Sequence, residues 1–221
     1  IMALEVYWGS GSPYAWRVLL GLEVKKIEYE SNRLSFTDED LKSDEYLAIS
    51  PRGKVPAIRD GSVTVHESIA ILRYLEDLKP EPILFGKDPA ERSKIWCSIM
   101  EIMNYIEPII LDYAKTIFYE ELSDKKQIAI TARKAIEDEL TILNTSLKNK
   151  NYLASDNLSA ADIILYPVIP FLSRAAMKEN TEEVSGKLRA IDDNYLAIGA
   201  WCKRIESISG FEKTYPPHWK E

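Results

Sequence analysis

Leu4-Glu5-Val6-Tyr7-Trp8-Gly9-Ser10-Gly11-Ser12-Pro13-Tyr14-Ala15-Trp16-Arg17-Val18 is the stretch from which the rest of the chain is read. Leu4–Trp8 is rich in β-formers and reads as a strand. Glycine and serine follow. Pro13 suits the first position of a helix, which makes Ser12 its N-cap. The helix extends over Pro13–Lys25, and Lys26–Ser31 reads as a second strand. A strand, a helix and a strand within about 30 residues form a βαβ unit, so the strands run parallel with a right-handed crossover.

Working outward, Asp38–Ala48 reads as a helix. Two short apolar runs, Ala57–Arg59 and Val63–Val65, flank Asp60-Gly61, which is a hairpin signal. Ser68–Leu78 reads as the next helix. The element order is β-α-β-α-β-β-α. Lys79-Pro80-Glu81-Pro82 stops that helix, because proline cannot continue one. The expected division is a first domain over 1–79, a linker over 80–88 and a helical domain over 89–221.

Beyond the linker the periodicity is helical throughout. Asp88-Pro89 supplies an N-cap and a first-turn proline. Ile95, Trp96, Ile99, Met103, Ile106, Ile110 and Tyr113 recur at helical spacing, and Pro108 interrupts the stripe with an expected kink. A helix over Lys125–Lys148 turns Ile128, Ala132, Ile136, Leu140, Leu143 and Leu147 inward. Ser159-x-x-Asp162 has the form of a capping box, and Leu158 and Ile163 are placed as its hydrophobic staple. Shorter helices are expected over Glu182–Ala190 and Asp192–Ile208.

Composition narrows the function classes. Of the 221 residues 46% are hydrophobic and 29% charged, a globular balance rather than a disordered one. The net charge of −7 comes with no basic stripe. That argues against a nucleic-acid partner, whose phosphates a protein meets with lysine and arginine, and against adsorption to an anionic membrane. No apolar run approaches the ~20 residues that span a bilayer, and the start of the sequence does not read as a signal peptide. Cys97 and Cys202 read as reduced core thiols. His66 and His218 are too isolated for a metal site, and none is expected.

Three segments are candidates for chemistry. At Gly9–Val18, an N-cap hydroxyl sits at the positive end of a helix dipole, where a thiolate gains a hydrogen bond and a favourable field. In Ser50-Pro51-Arg52-Gly53-Lys54-Val55-Pro56-Ala57, a cis bond before Pro56 would turn the Val55 N–H and C=O outward to pair with an extended peptide. In His66-Glu67-Ser68-Ile69-Ala70-Ile71, a strand turns into a helix, so backbone N–H groups and the Ser68 hydroxyl converge on a carboxylate-sized point. Glu67 there supplies charge for an ammonium group. Each segment alone is also what an ordinary cap or turn looks like.

Together, Ser-Pro-Tyr-x-x-Arg-Val, Ser-Pro-x-Gly-Lys-Val-Pro-Ala and Glu-Ser-x-Ala-Ile-x-x-Tyr-Leu resemble the cytosolic glutathione S-transferases in order and spacing. The resemblance covers the first domain and reaches the second through the Asn157–Pro167 capping segment. It implies a thioredoxin-like first domain, a C-terminal helical bundle and a cytoplasmic homodimer, with glutathione as co-substrate. By it Ser12 holds the glutathione thiolate, with Ser10 as runner-up. Val55 binds the cysteinyl backbone beside a cis Pro56, Glu67 and Ser68 hold the γ-glutamyl group, and Lys42 and Lys54 face the glycyl carboxylate. Serine before Pro13, where redox-type members carry cysteine, and the absence of a Ser-Ser-Cys run make the chain similar to tau-like or theta-like serine enzymes. An apolar electrophile to be conjugated, or a peroxide to be reduced, is the implied second substrate. Tyr14, Met103, Tyr105, Ile109 and Tyr113 are its candidate walls, though a core role suits each of them as well. The tail Tyr215-Pro216-Pro217-His218-Trp219 either lies over the site or stays an exposed terminus. The alternative function is a non-catalytic glutathione-binding or scaffold protein that keeps the fold without the turnover.

Overall fold

The protein is described by a computed structural model covering residues 3–119 and 122–220. It divides into two compact units. One contains the described residues up to Phe85 and those from Ile208 on; the other is Gly86–Ser207.

The first unit contains β1 (Leu4–Gly9), α1 (Pro13–Lys25), β2 (Tyr29–Leu34), α2 (Asp38–Leu41), α3 (Asp44–Leu47), β3 (Ala57–Asp60), β4 (Val63–His66) and α4 (Ser68–Leu78). The four strands form one sheet in the order β2-β1-β3-β4. β1 pairs parallel with β2, and the pairs β1–β3 and β3–β4 are antiparallel. Side chains alternate across a strand, so Val6 and Tyr7 enter opposite layers. Leu4, Val6 and Ile58 pack with Val18, Leu19 and Leu22 of α1 and Ile71 and Leu75 of α4. On the other face Tyr7 and Ala57 meet Tyr46 and Ile49.

Two elements of this unit depart from the sequence reading by more than a residue, each for a local reason. β2 begins at Tyr29 rather than Lys26. Lys26 adopts a left-handed conformation at φ 51 and closes α1, while the Ile27 N–H donates back to the Leu22 carbonyl. The chain thus uses residues 26–28 to end the helix before it can extend. The single helix expected over Asp38–Ala48 is two, because Ser43 caps a new one by accepting from the Tyr46 N–H at 3.2 Å.

A buried ion pair fixes the end of the unit. Lys25 Nζ lies 2.6 Å from Glu76 Oε2. It also donates to the carbonyls of Lys79 and Pro82 at 2.7 and 2.9 Å. Glu76 accepts from the N–H groups of Leu84 and Phe85. Much of the expected linker is therefore tied to the first unit. The C-terminal segment, which the sequence groups with the helices, packs on α1: Trp16 donates from Nε1 to Thr214 Oγ1 at 2.9 Å, and the rings of Phe211, Tyr215 and Trp219 surround it.

The second unit contains α5 (Pro89–Glu101), a π-helical turn (Ile102–Ile106), α6 (Glu107–Tyr119), α7 (Leu122–Leu147), α8 (Ala160–Leu165), α9 (Val168–Ala176), α10 (Glu182–Ser185), a 3₁₀ turn (Gly186–Ala190), α11 (Ile191–Asn194) and α12 (Leu196–Glu206). α7 packs on α6 and α12, and α9 on α6. Asp88 caps α5 by accepting from the Glu91 N–H at 2.9 Å. The interruption expected at Pro108 takes a particular form: the turn before it is π-helical, with the Glu107 N–H donating to the Ile102 carbonyl. Ile128, expected to turn inward, is 55% exposed; Ala129 is buried in its place, and Ile136, Leu140, Leu143 and Leu147 face the core as read. Cys202 is buried, whereas Cys97 is exposed and is no core thiol.

The capping box at Ser159 forms. Asp162 accepts from the Ser159 N–H and hydroxyl, the Leu153 N–H and the Trp201 indole N–H, all within 2.9 Å. Burial pushes its carboxyl above the usual range, while those donors pull the other way. Among the described residues no helix is long and apolar enough to cross a membrane.

Candidate functional site

The sheet register brings the three sequence segments to one end of the first unit. Tyr7 of β1 pairs with Ala57 of β3, and Ala57 pairs with His66 of β4. The antiparallel alternation places the exit of β1, the entry of β3 and the exit of β4 side by side. The loop before α1, the Val55–Pro56 turn and the Glu67–Ser68 turn are consequently neighbours. With strands 4.7–4.9 Å apart, these three turns lie across about 10 Å.

At the first of them, Ser12 is the N-cap of α1, as read. Its Oγ accepts from the Ala15 N–H at 3.2 Å. A hydroxyl carries one proton and two lone pairs, so this bond leaves the Ser12 proton available for donation. The first turn of α1 contains no acidic residue, so no carboxylate there offsets the positive end of the dipole. Ser10 is different. It is buried, and its Oγ lies 2.6 Å from Nδ1 of His218. Between the two serines Gly11 has φ +86, and a Cβ added to it would stand 2.8 Å from the His218 ring. Glycine is required there on both counts.

At the second turn the Val55–Pro56 peptide is cis. Val55 is half-buried and Pro56 buried. The preceding carbonyl, that of Lys54, accepts from the Tyr46 and Ser50 hydroxyls at 2.7 and 2.8 Å. These bonds hold the backbone entering Val55. Gly53, at φ +58, approaches so closely that a Cβ would lie 2.6 Å from the Leu41 carbonyl oxygen. This contact brings the chain beside Lys54 against the chain beside Lys42. Both lysines are exposed, and Lys42, directly after α2, bonds from Nζ to Asp38 Oδ2 at 2.8 Å at the start of that helix.

At the third turn Glu67 precedes α4 with φ 70 and ψ 116, a conformation that costs a non-glycine residue on the order of 1–3 kcal/mol. It aims the start of α4, whose first turn again lacks an acidic residue. Glu67 is exposed, while Ser68 is 6% exposed.

Arg17 belongs to the first sequence motif, whose pattern announces no role for it. Its side chain is fully buried, with Nη1 3.5 Å from Ser68 Oγ and its guanidinium 4.9 Å from the Tyr14 ring centre. It links α1 to the start of α4 and sets a fixed positive charge behind that turn. The available signal was a charged residue amid the apolar run Trp16–Leu20. His218 is an isolated histidine in the sequence, and the separation of 208 positions conceals its contact with Ser10. Tyr7, although on β1 beside the site, donates to Glu5 Oε2 at 2.6 Å, and burial first, then that bond, pushes its phenol up to about 12. It stays protonated and engaged.

The remaining candidates divide between the units. Tyr14 is half-buried on α1. In the second unit Met103 and Ile109 are half-buried and Tyr105 is 60% exposed. Tyr113 is fully buried in that unit's core, bonded to Ser185 Oγ at 2.8 Å.

Residues 11–78 match the family described as "Glutathione S-transferase, N-terminal domain", and residues 106–208 match "Glutathione S-transferase, C-terminal domain". Glutathione S-transferase A of Pleuronectes platessa is 27% identical over 99% of this chain and 93% of its own length. A probable maleylacetoacetate isomerase 1 of Drosophila melanogaster is 31% identical over 75% of this chain and 67% of its own. The crystal structure of a glutathione S-transferase from the Antarctic clam Laternula elliptica superposes with a TM-score of 0.84 at 30% identity, covering 100% of this chain and 95% of that one.

Proposed function

The chain belongs to the glutathione S-transferase family, and on that premise we propose that it ionises the glutathione sulfur at Ser12 and adds it to an apolar electrophile. The observation that carries the reading is the convergence of three turns at one end of the sheet. An extended tripeptide reaches about 10 Å, the width those turns occupy. In this reading Val55 pairs with the cysteinyl backbone next to the cis Pro56. Glu67 takes the γ-glutamyl ammonium group, and Ser68 with the start of α4 takes its carboxylate. Lys42 and Lys54 face the glycyl carboxylate.

The chemistry follows from the loop before α1. The Ser12 hydroxyl donates to the sulfur and favours its charged form, and the exposed positive end of α1 adds to that preference. Lowering a thiol pKa by about 2 units takes about 2.7 kcal/mol of preferential thiolate stabilisation. The protein hydroxyl is a hydrogen-bond donor here, and glutathione is the nucleophile. The thiolate attacks the electrophilic carbon, a C–S bond forms, and the leaving group departs with its electron pair. Ser12 in place of a cysteine supports a serine-type, tau-like or theta-like enzyme. Tyr14, Met103, Tyr105 and Ile109 are proposed to line the electrophile's pocket. The core place of Tyr113 favours a supporting role for it. The family resemblance further supports a cytoplasmic homodimer with a detoxifying role.

The test is turnover of a chloronitrobenzene with glutathione. Ser12→Ala should lower kcat/KM by about a hundredfold, the scale of about 2.7 kcal/mol. Undiminished activity in that variant would assign the sulfur to a different residue.

A further inference from the structure

We propose that His218 is a positioning residue of the glutathione site, acting through Ser10 on the loop that carries Ser12. The inference rests on the reading of Ser12 as the thiolate's hydrogen-bond donor.

The argument begins with what holds the C-terminal segment. Trp16 of α1 is enclosed by Phe211, Tyr215 and Trp219 and bonded to Thr214, so the last turn of the chain, Pro217–Trp219, has a fixed anchor on α1. From it His218 reaches back over the neck between β1 and α1. Its Nδ1 bonds the buried Ser10 hydroxyl at 2.6 Å, and its ring covers Gly11 closely enough to exclude any side chain there. The Ser12 N–H donates to the Gly9 carbonyl at 3.2 Å, closing a turn around the two residues that His218 touches. The imidazole therefore holds one side of a turn whose next residue presents the Ser12 hydroxyl.

A loop of Gly9-Ser10-Gly11-Ser12 has little intrinsic stiffness, since glycine loses more conformational freedom on ordering than any other residue. An outside contact on both the Ser10 side chain and the Gly11 backbone supplies that order. A hydroxyl aimed at a developing thiolate is effective only if it is held in place before reaction. His218 also borders a depression of about 450 Å³ with Ser10, Arg33, Phe36 and Asp40. The segment accordingly closes the loop from the side of β2 as well as from above Gly11.

The experiment uses the full chain with His218→Phe, His218→Asn, Ser10→Ala and the double variant Ser10→Ala/His218→Phe, beside Ser12→Ala. Phenylalanine keeps a ring over Gly11 and removes the bond. Asparagine keeps a nitrogen near the place of Nδ1. One neutral hydrogen bond sets the scale at about three- to tenfold. We expect His218→Phe and Ser10→Ala each to lower kcat by about that factor, with KM for glutathione within about twofold and the melting midpoint lower by no more than about 2–4 °C. His218→Asn should recover most of the loss. The double variant should be no worse than either single one, because both break the same bond. A His218→Phe enzyme with wild-type kcat, additive losses in the double variant, or no recovery in His218→Asn overturns the proposal. If Ser12→Ala loses activity while His218→Phe keeps it, this inference fails and the reading of Ser12 stands. Wild-type activity in Ser12→Ala overturns both.

Discussion

At the scale of single residues, the first unit depends on polar groups placed where water does not reach. Arg17 is fully buried against Ser68, and Lys25 is fully buried against Glu76. A buried pair is a modest net contributor when complete but costly when halved, since the surviving charge has no water to turn to. Replacing Lys25 with methionine leaves the Glu76 carboxylate with only the N–H groups of Leu84 and Phe85. The expected loss is about 3–5 kcal/mol, read as a fall in the denaturation midpoint, whereas Lys25→Met/Glu76→Gln, which removes the charge and keeps an oxygen for the Leu84 and Phe85 N–H groups, should recover much of it. Equal midpoints for the wild type and the single variant would contradict this account. Ser12 was legible at this scale, because Pro13 fixed the first helical position and thereby the cap. Arg17 and His218 were not, because the partner that gives each its role lies far along the chain, at Ser68 and Ser10.

Elements were legible where a local signal marks their ends. α1 and α4 match the residues read from sequence, since Pro13 opens the one and the prolines after Lys79 close the other. β2 was misplaced because the left-handed Lys26 gives no signal as plain as a glycine would. Asp38–Ala48 was read as one helix because nothing distinguishes Ser43 as an internal N-cap from Ser43 as a surface residue. Asp162 shows a cap whose local pattern was readable while its reach was not. The spacing from Ser159 announces the box, but the bonds to Leu153 and Trp201 come from elsewhere in the second unit. Asp162→Ala removes four hydrogen bonds and leaves buried donors unsatisfied. It should cost about 3 kcal/mol or more, measured by chemical denaturation, and lower the yield of folded protein. Ser159→Ala removes only the hydroxyl's share and should cost about 1 kcal/mol. If the two variants proved equally stable, Asp162 would be no more than a helix cap.

At the scale of the whole molecule, the sequence of four strands with α1 between the first two and α4 after the last, followed by helices, was readable from periodicity and turn residues alone, although the stretch between β2 and β3 holds two short helices. In the proposed reading, glutathione is held by three motifs that the antiparallel pairing of β1, β3 and β4 carries to one end of a sheet. The sequence supplied their order, and the register supplies their adjacency. The destination of the chain's last residues was not readable, because Trp16 and Trp219 look like any two aromatic residues until they meet. The most direct measurement is the ionisation of glutathione bound to the enzyme, followed by the thiolate's ultraviolet absorption as pH is raised, in wild type and Ser12→Ala. The wild type should show the bound thiol titrating about 2 units below the free tripeptide, with conjugation rising through the same midpoint. Ser12→Ala should return that midpoint most of the way to the free value. A bound thiol that titrates like free glutathione in the wild type, or a low midpoint that survives the loss of Ser12, would contradict the account.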